Sequence, residues 1–171
     1  SGTTVPNSST IIENGAVVVD GAVIAAVGER PEIRERFPDH PEQQYDVLMP
    51  GMVGSHIHSV QSLGRGISDD TELLDWLFDY ILPMEATMDA EAMEVAAELG
   101  YLELIETGTT TAIDHLSVAH ADRAFEVAGE MGLRGVLGKV LMDQRSPDGL
   151  LEETDAALAE TERLIQRYHG S

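Results

Sequence analysis

Residues 48–66 read LMPGMVGSHIHSVQSLGRG, an apolar run broken by Pro50-Gly51 and closed by two histidines one residue apart, His56 and His58. The Pro-Gly pair predicts a turn between two short strands, the second ending at the histidines. Side chains alternate faces along a strand, so His56 and His58 point to one side and Ile57 to the other, and two imidazoles can then bite one cation. H-x-H alone recurs by chance, and the competing reading is a pair of hydrogen-bonded surface histidines in a turn. The apolar strand and the turn ahead of it favour a metal-ligand pair.

Upstream, SGTTVPNSS (1–9) is polar without periodicity and predicts a loose start. In TIIENGAVVVDGAVIAAVG (10–28), β-branched runs are punctuated by Asn14-Gly15 and Asp20-Gly21, dipeptides suited to tight hairpin turns, which predicts a small antiparallel unit. ERPEIRERFPDHPEQQ (29–44) has room for one helical turn. Downstream, TELLDWLFDYILPMEA (71–86) carries apolar residues on a helical period up to Pro83, and DAEAMEVAAELGYLELIETG (89–108) opens with an acidic turn and stops at Gly108. TTTAIDHLSV (109–118) predicts a strand, HADRAFEVAGEMG (120–132) a helix, LRGVLGKVLMD (133–143) a strand and DGLLEETDAALAETERLIQRYHG (148–170) a long amphipathic helix.

Strands alternating with helices of this length imply a parallel sheet with crossover connections. The expectation is a β-rich segment over residues 1–48, part of a small β-sandwich, followed over 49–171 by about three βα units. A (β/α)₈ TIM barrel needs eight such units over roughly 250 residues, so the chain reads as the N-terminal part of one. The alternative is a self-contained three-stranded α/β layer, which would need another cover for its edge strands.

With 43% hydrophobic residues the chain can bury a core, and no run is long enough for a membrane span. It contains no cysteine, so disulfides and thiolate ligands are excluded and a metal must use His, Asp, Glu or a modified Lys. Thirty-one acidic against ten basic residues give a formal charge of -21, which repels nucleic acid and anionic membranes. Lys139 is the only lysine, and scattered acids with so few lysines read as the solvated surface of a halophilic protein, against the alternative of a mesophilic protein that is merely acidic. Nothing reads as a signal peptide, and the expected location is cytoplasmic.

The combination of LMPGMVGSHIH after a β-rich segment with Gly turns, then LGRG, LLDWL, LP with Glu85 nearby, and ETGTTTAIDH, resembles the amidohydrolase superfamily. Within it the resemblance is to the branch of aminohydrolases and chlorohydrolases acting on purines, pyrimidines and triazines, and it runs from about Thr10 to the end. Two details lean toward guanine deaminases: Gln61 three residues after His58, whose amide can pair with a purine edge, and GKVLMD at 138–143. The alternative for Gln61 is a solvent-facing loop amide.

The resemblance implies a hydrolytic deaminase of a small heterocyclic substrate, with His56 and His58 as ligands of a divalent metal, Zn²⁺ first and Fe²⁺ second, and no nucleic-acid or membrane partner. It also implies that the other ligands and the proton-shuttling glutamate follow later strands. No catalytic acid or base is therefore expected among these 171 residues, and the isolated chain is expected to be inactive. A homo-oligomer of the full-length protein is left open, and the other readings are a triazine-type chlorohydrolase, a cyclic amidohydrolase, or a non-catalytic subunit needing a partner to complete the barrel. His115, at the end of the second barrel strand, is a candidate for the substrate pocket, against a satisfied strand-end histidine. Trp76 is a candidate pocket wall, against core packing with Leu73, Leu77 and Tyr80. Arg65 could orient an oxygenated substrate, against a structural salt bridge. For Lys139 the expected role is pairing with an acid at the barrel mouth.

Overall fold

The computed structural model describes residues 1–170, and the chain divides into two compact units, Ser1–Gly51 and Met52–Ser171.

The first unit is a four-stranded sheet in the order β3-β2-β1-β4, from β1 (Gly2–Asn7), β2 (Thr10–Asp20), β3 (Val23–Glu29) and β4 (Val47–Leu48). Residues 1–9, expected to be loose, instead supply β1, which pairs antiparallel with β2 and parallel with β4. Its inward position is taken by Thr4, 2% exposed, rather than by an apolar side chain, so no hydrophobic period marked it. The expected turn at Asn14-Gly15 is also absent, because β2 runs straight through it. Gly15 serves a close approach instead: a Cβ there would lie 2.5 Å from Thr4 Oγ1. The turn at Asp20-Gly21 is present, with Gly21 at φ 59° and Asp20 opposite Val23. Helix α1 (Arg30–Arg36) lays Ile33 on Ala16 and Val18.

In the second unit β5 (Met52–Ile57), β6 (Thr109–His115) and β7 (Gly135–Gly138) form a parallel sheet in that order, as the alternating pattern predicts. After β5 the chain makes a 3₁₀ turn, Ser59–Gly64, and then a helical segment composed of α2 (Leu73–Asp75), a π-helical turn (Trp76–Ile81) and α3 (Leu82–Ala86). The sequence pattern placed the end of this segment at Pro83, but it continues three residues further. Proline has no N–H to give, and it sits where π spacing reverts to α spacing, so the missing bond falls at a point where the ladder is already re-registered. Helix α4 (Ala90–Glu106) is capped by Asp89, which accepts from the Ala92 N–H at 2.9 Å, and is followed by Gly108 at φ 87°. Helices α5 (Ala121–Glu130) and α6 (Thr154–Tyr168) follow β6 and β7; α6 begins later than its sequence pattern, after a 3₁₀ turn at Asp148–Leu150.

The core joins Met93, Ala97 and Tyr101 of α4 to Leu116, Ala124, Val127 and Leu164. Along β6, Ala112 and Asp114 are buried while Ile113 between them is 39% exposed. Helices thus cover one face of the sheet, and the other stays open, with Val53 and Val136 more than half exposed. Among the described residues no helix is long and apolar enough to cross a membrane.

Candidate metal and substrate site

Parallel strands bring their C-terminal ends side by side, with Ile57 opposite Asp114 and His115 opposite Gly138. Three imidazoles meet there. The ring centroids of His56 and His58 are 5.0 Å apart, His56 and His115 4.5 Å, and His58 and His115 5.5 Å. His56 is exposed, whereas His58 and His115 are half-buried.

His58 has the features of an unused ligand. Its Nδ1 is buried and has no hydrogen-bond partner. Burial, and after it the neighbouring His56, hold its pKa below the usual histidine value, while a hydrogen bond with the His115 backbone and, more weakly, the Glu85 charge act in the opposite direction. A neutral imidazole with an unpartnered buried nitrogen is the form that binds a cation, so the pair fits a divalent metal. Among the described residues no group of three or more His, Cys, Asp or Glu side chains converges in a way that could hold one; the pair supplies two donors where tetrahedral sites use three or four.

Beside the imidazoles lies a polar cluster. Gln61 Nε2 donates to Glu85 Oε1 at 2.8 Å, and Ser117 Oγ donates to Glu85 Oε2 at 2.6 Å. Glu85, 6% exposed, thereby joins the turn after β5, helix α3 and the loop after β6. Gln61, half-buried and bonded to Glu85, is not the solvent-facing loop amide of the alternative reading.

The remaining candidates are dispersed. Arg65 pairs with Glu103 of α4 on an exposed surface, which is the salt bridge weighed against a substrate role. Trp76 is half-buried on the π-helical turn. Leu73 and Tyr80 of its stripe are 69% and 37% exposed, so only Leu77 does the core packing expected of that face, against Leu82, Val118 and Leu150. Lys139, its side chain 1% exposed, donates to Glu152 Oε2 at 2.6 Å and to the Val140 carbonyl at 3.1 Å, the pairing with an acid that the sequence suggested.

Sequence reasoning assigned nothing to Asp114, Ser59, Tyr101 or Ser117. Asp114 is 1% exposed and accepts from the Ser59 N–H at 3.0 Å, from Ser59 Oγ, and from the Tyr101 hydroxyl at 2.8 Å. Burial, with the Asp114 charge beside it, pushes the Tyr101 phenol far up and keeps it a donor. A lone acid inside the β-branched run TTTAIDH was the available signal. In the Ser1–Gly51 unit, a groove of about 670 Å³ lined by Ala16, Val18, Ile33, Phe37 and Leu48 contains none of the candidate residues.

A model of the amidohydrolase family matches residues 47–171, and one of a bacterial imidazolonepropionase-like composite domain matches residues 15–39. Among curated proteins, the chain is 38% identical over 164 residues to 5-methylthioadenosine/S-adenosylhomocysteine deaminase 1 of Syntrophus aciditrophicus, covering 94% of this chain and 36% of that protein. It is 43% identical over 161 residues to the 5-methylthioadenosine/S-adenosylhomocysteine deaminase of Thermococcus onnurineus, covering 88% and 38%.

Among solved structures, guanine deaminase of E. coli superposes with a TM-score of 0.80 at 30% identity, over 94% of this chain and 38% of that one. A C. acetobutylicum guanine deaminase with guanine in its active site gives 0.81 at 28%, over 99% and 42%. An adenosine deaminase of Xanthomonas campestris with bound zinc gives 0.78 at 26%, over 99% and 39%. The chain thus spans somewhat over a third of its curated relatives, and its fold is that of the N-terminal part of their TIM barrel, as the sequence suggested.

Proposed function

The chain belongs to the amidohydrolase family, and from that premise we propose that it carries the first-strand metal ligands and part of the substrate pocket of a deaminase acting on a purine-type ring. The observation that carries the reading is the pair His56 and His58 at the sheet's C-terminal end, with the buried Nδ1 of His58 unpartnered and the Glu85 cluster beside it. Barrel enzymes build their active sites at that end.

His56 and His58 would hold the metal as neutral donors. A divalent ion, Zn²⁺ before Fe²⁺, supplies Lewis acidity and makes water a nucleophile near neutral pH when bound. Gln61 and Glu85 offer an amide and a carboxylate for the polar edge of a substrate, and their mutual hydrogen bond fixes both orientations before binding. His115 stands against the two ligand rings and closes one side of the pocket. Trp76 is a wall candidate further along the chain, and Arg65 reaches substrate only by leaving Glu103. The net reaction exchanges a ring amino group for oxygen and releases ammonia.

The favoured substrate is a 6-aminopurine nucleoside with a sulfur-bearing ribose, the type named in the relatives at 38% and 43% identity. Guanine is the second reading, favoured by Gln61 and by the superpositions on guanine deaminases. Purified natural polypeptide containing these residues, loaded with zinc, should release ammonia from 5-methylthioadenosine faster than from guanine. The reverse order selects the second reading. Chloride release from a triazine, or no turnover of any of the three, sinks the deaminase proposal. In the same protein, His56→Ala should lose zinc; unchanged metal content removes the ligand assignment.

A further inference from the structure

We propose that Asp114 is a positioning residue for the metal-binding pair, holding the end of β5 so that His58 presents its imidazole in a fixed direction. The inference rests on the reading of His56 and His58 as ligands and adds a group that does not itself touch the metal.

The geometry starts at the peptide bond after His58. β5 ends at Ile57, and His58 has φ -133° and ψ 79°, values of neither a regular strand nor a helix. Nothing in the β5 ladder fixes that ψ, because the chain has already left the sheet. Two hydrogen bonds hold the peptide plane that ψ turns: the His58 carbonyl accepts from the Gln61 N–H at 3.1 Å within the 3₁₀ turn, and the Ser59 N–H donates to Asp114 Oδ1 at 3.0 Å, the bond that ties the plane to β6. The Ser59 hydroxyl donates to Oδ2 of the same carboxylate. Two bonds from one residue to one carboxylate define a direction as well as a distance.

The carboxylate is itself held. Asp114 lies on β6 opposite Ile57, and its side chain turns to the face away from that of His115. There Tyr101 of α4, 0% exposed, donates its hydroxyl to Oδ2 at 2.8 Å. The residue before it is Gly100, where a Cβ would come within 3.0 Å of Ser59 Cβ and of the Ser59 carbonyl; the missing side chain lets α4 touch the turn. Ser62 Oγ donates to that carbonyl at 2.5 Å and closes the 3₁₀ turn. Strand, helix and turn meet at one carboxylate, whose own residue adjoins His115 and whose bonded partner Ser59 adjoins His58.

A buried carboxylate with three donors is also what a purely structural clasp would look like, and the two roles separate by measurement. Outer-sphere groups that orient ligands typically change metal affinity by about 10- to 100-fold when removed. A structural clasp lowers the melting temperature without that selective loss. The test uses the natural polypeptide containing these residues and reads zinc affinity by competition with a chromophoric chelator, the visible spectrum of the Co²⁺-loaded form, and thermal melting. Asp114→Asn should weaken zinc binding at least tenfold and alter the Co²⁺ spectrum while melting stays cooperative. Tyr101→Phe, which removes one donor of three, should weaken it severalfold. Leu164→Ala, in the core away from the ligands, should lower the melting temperature and leave zinc affinity unchanged.

Affinity within twofold of wild type in a folded Asp114→Asn overturns the proposal. Should that variant fail to fold, Tyr101→Phe and Ser59→Ala decide, and unchanged affinity in both overturns it. His58→Ala is the separate control: if it binds zinc normally, the ligand reading fails, whatever Asp114 does.

Discussion

Asp122, on the first turn of α5, gathers three side chains from α6. Arg163 reaches it through two guanidinium nitrogens, Arg167 Nη1 at 3.0 Å and the Tyr168 hydroxyl at 2.8 Å. The Arg163 hydrogen bonds first, then the Tyr168 hydroxyl and the two arginine charges, hold its carboxyl below the usual aspartate value. A carboxylate with a depressed folded pKa stabilises the fold above its unfolded pKa of about 3.9 and loses that contribution as pH falls through the folded value. Exposed pairs are worth about 0.2–1 kcal/mol each, so Asp122→Asn should cost roughly 1 kcal/mol at pH 7. The gap between wild type and variant should shrink steadily below pH 4. Urea unfolding at pH 7, 5, 4 and 3 measures it, and a gap that stays constant down to pH 3 would remove Asp122 as the acid-sensitive contact.

The same scale shows what single residues reveal in a sequence. The His56 and His58 pair was legible because strand geometry makes spacing of two a statement about direction. Asp114 was not, because its partner Ser59 is 55 positions away and its partner Tyr101 reads as one more apolar residue of a helix. Gln61 was legible as a type of group but not as a bonded one, since Glu85 comes from another helix.

At the scale of elements, two glycines inside helices give opposite expectations. Gly100 in α4 faces the turn after β5, with Ser62 Oγ 2.8 Å and the Ser59 carbonyl 3.0 Å from where a Cβ would stand. Gly129 in α5 has nothing within 4 Å. Alanine gains about 1 kcal/mol of helix propensity over glycine at either place. At Gly129 nothing opposes that gain, so Gly129→Ala should stabilise by about 0.5–1 kcal/mol. At Gly100 an overpacking cost of about 1–3 kcal/mol opposes it, and Gly100→Ala should be destabilising by roughly 1 kcal/mol. Denaturant midpoints of the two variants check this pair, and stabilisation by both would mean that α4 can shift away from the turn at little cost. Sequence alone treats both glycines as helix weaknesses. In the same way it treated Asn14-Gly15 as a turn, because a glycine needed for close approach to Thr4 carries the same letter as one needed for positive φ. The parallel order of β5, β6 and β7 was legible because it rests on lengths and alternation over many residues.

For the whole molecule, two long-range terms pull in opposite directions as salt changes. Thirty-one acids face ten cations, and among the described residues seven of those cations, Arg30, Lys139 and Arg163 included, already sit in ion pairs. Screening weakens those pairs, at about 0.2–1 kcal/mol for each exposed one. It also removes the repulsion among roughly twenty carboxylates in excess, whose range shrinks from about 30 Å at 0.01 M to about 3 Å at 1 M salt. The excess is larger than the paired set and acts over many more distances, so relief of repulsion wins. The melting temperature should therefore rise by several degrees between 0.05 and 2 M KCl. The open sheet face around Val53, Ile113 and Val136 adds a second consequence. As repulsion fades, that apolar face becomes free to associate, so light scattering of the 171-residue chain should grow over the same salt range. A melting temperature that is flat or falling with salt would mean that the acids are spaced widely enough not to feel one another, and the halophilic reading of the composition would fail with it.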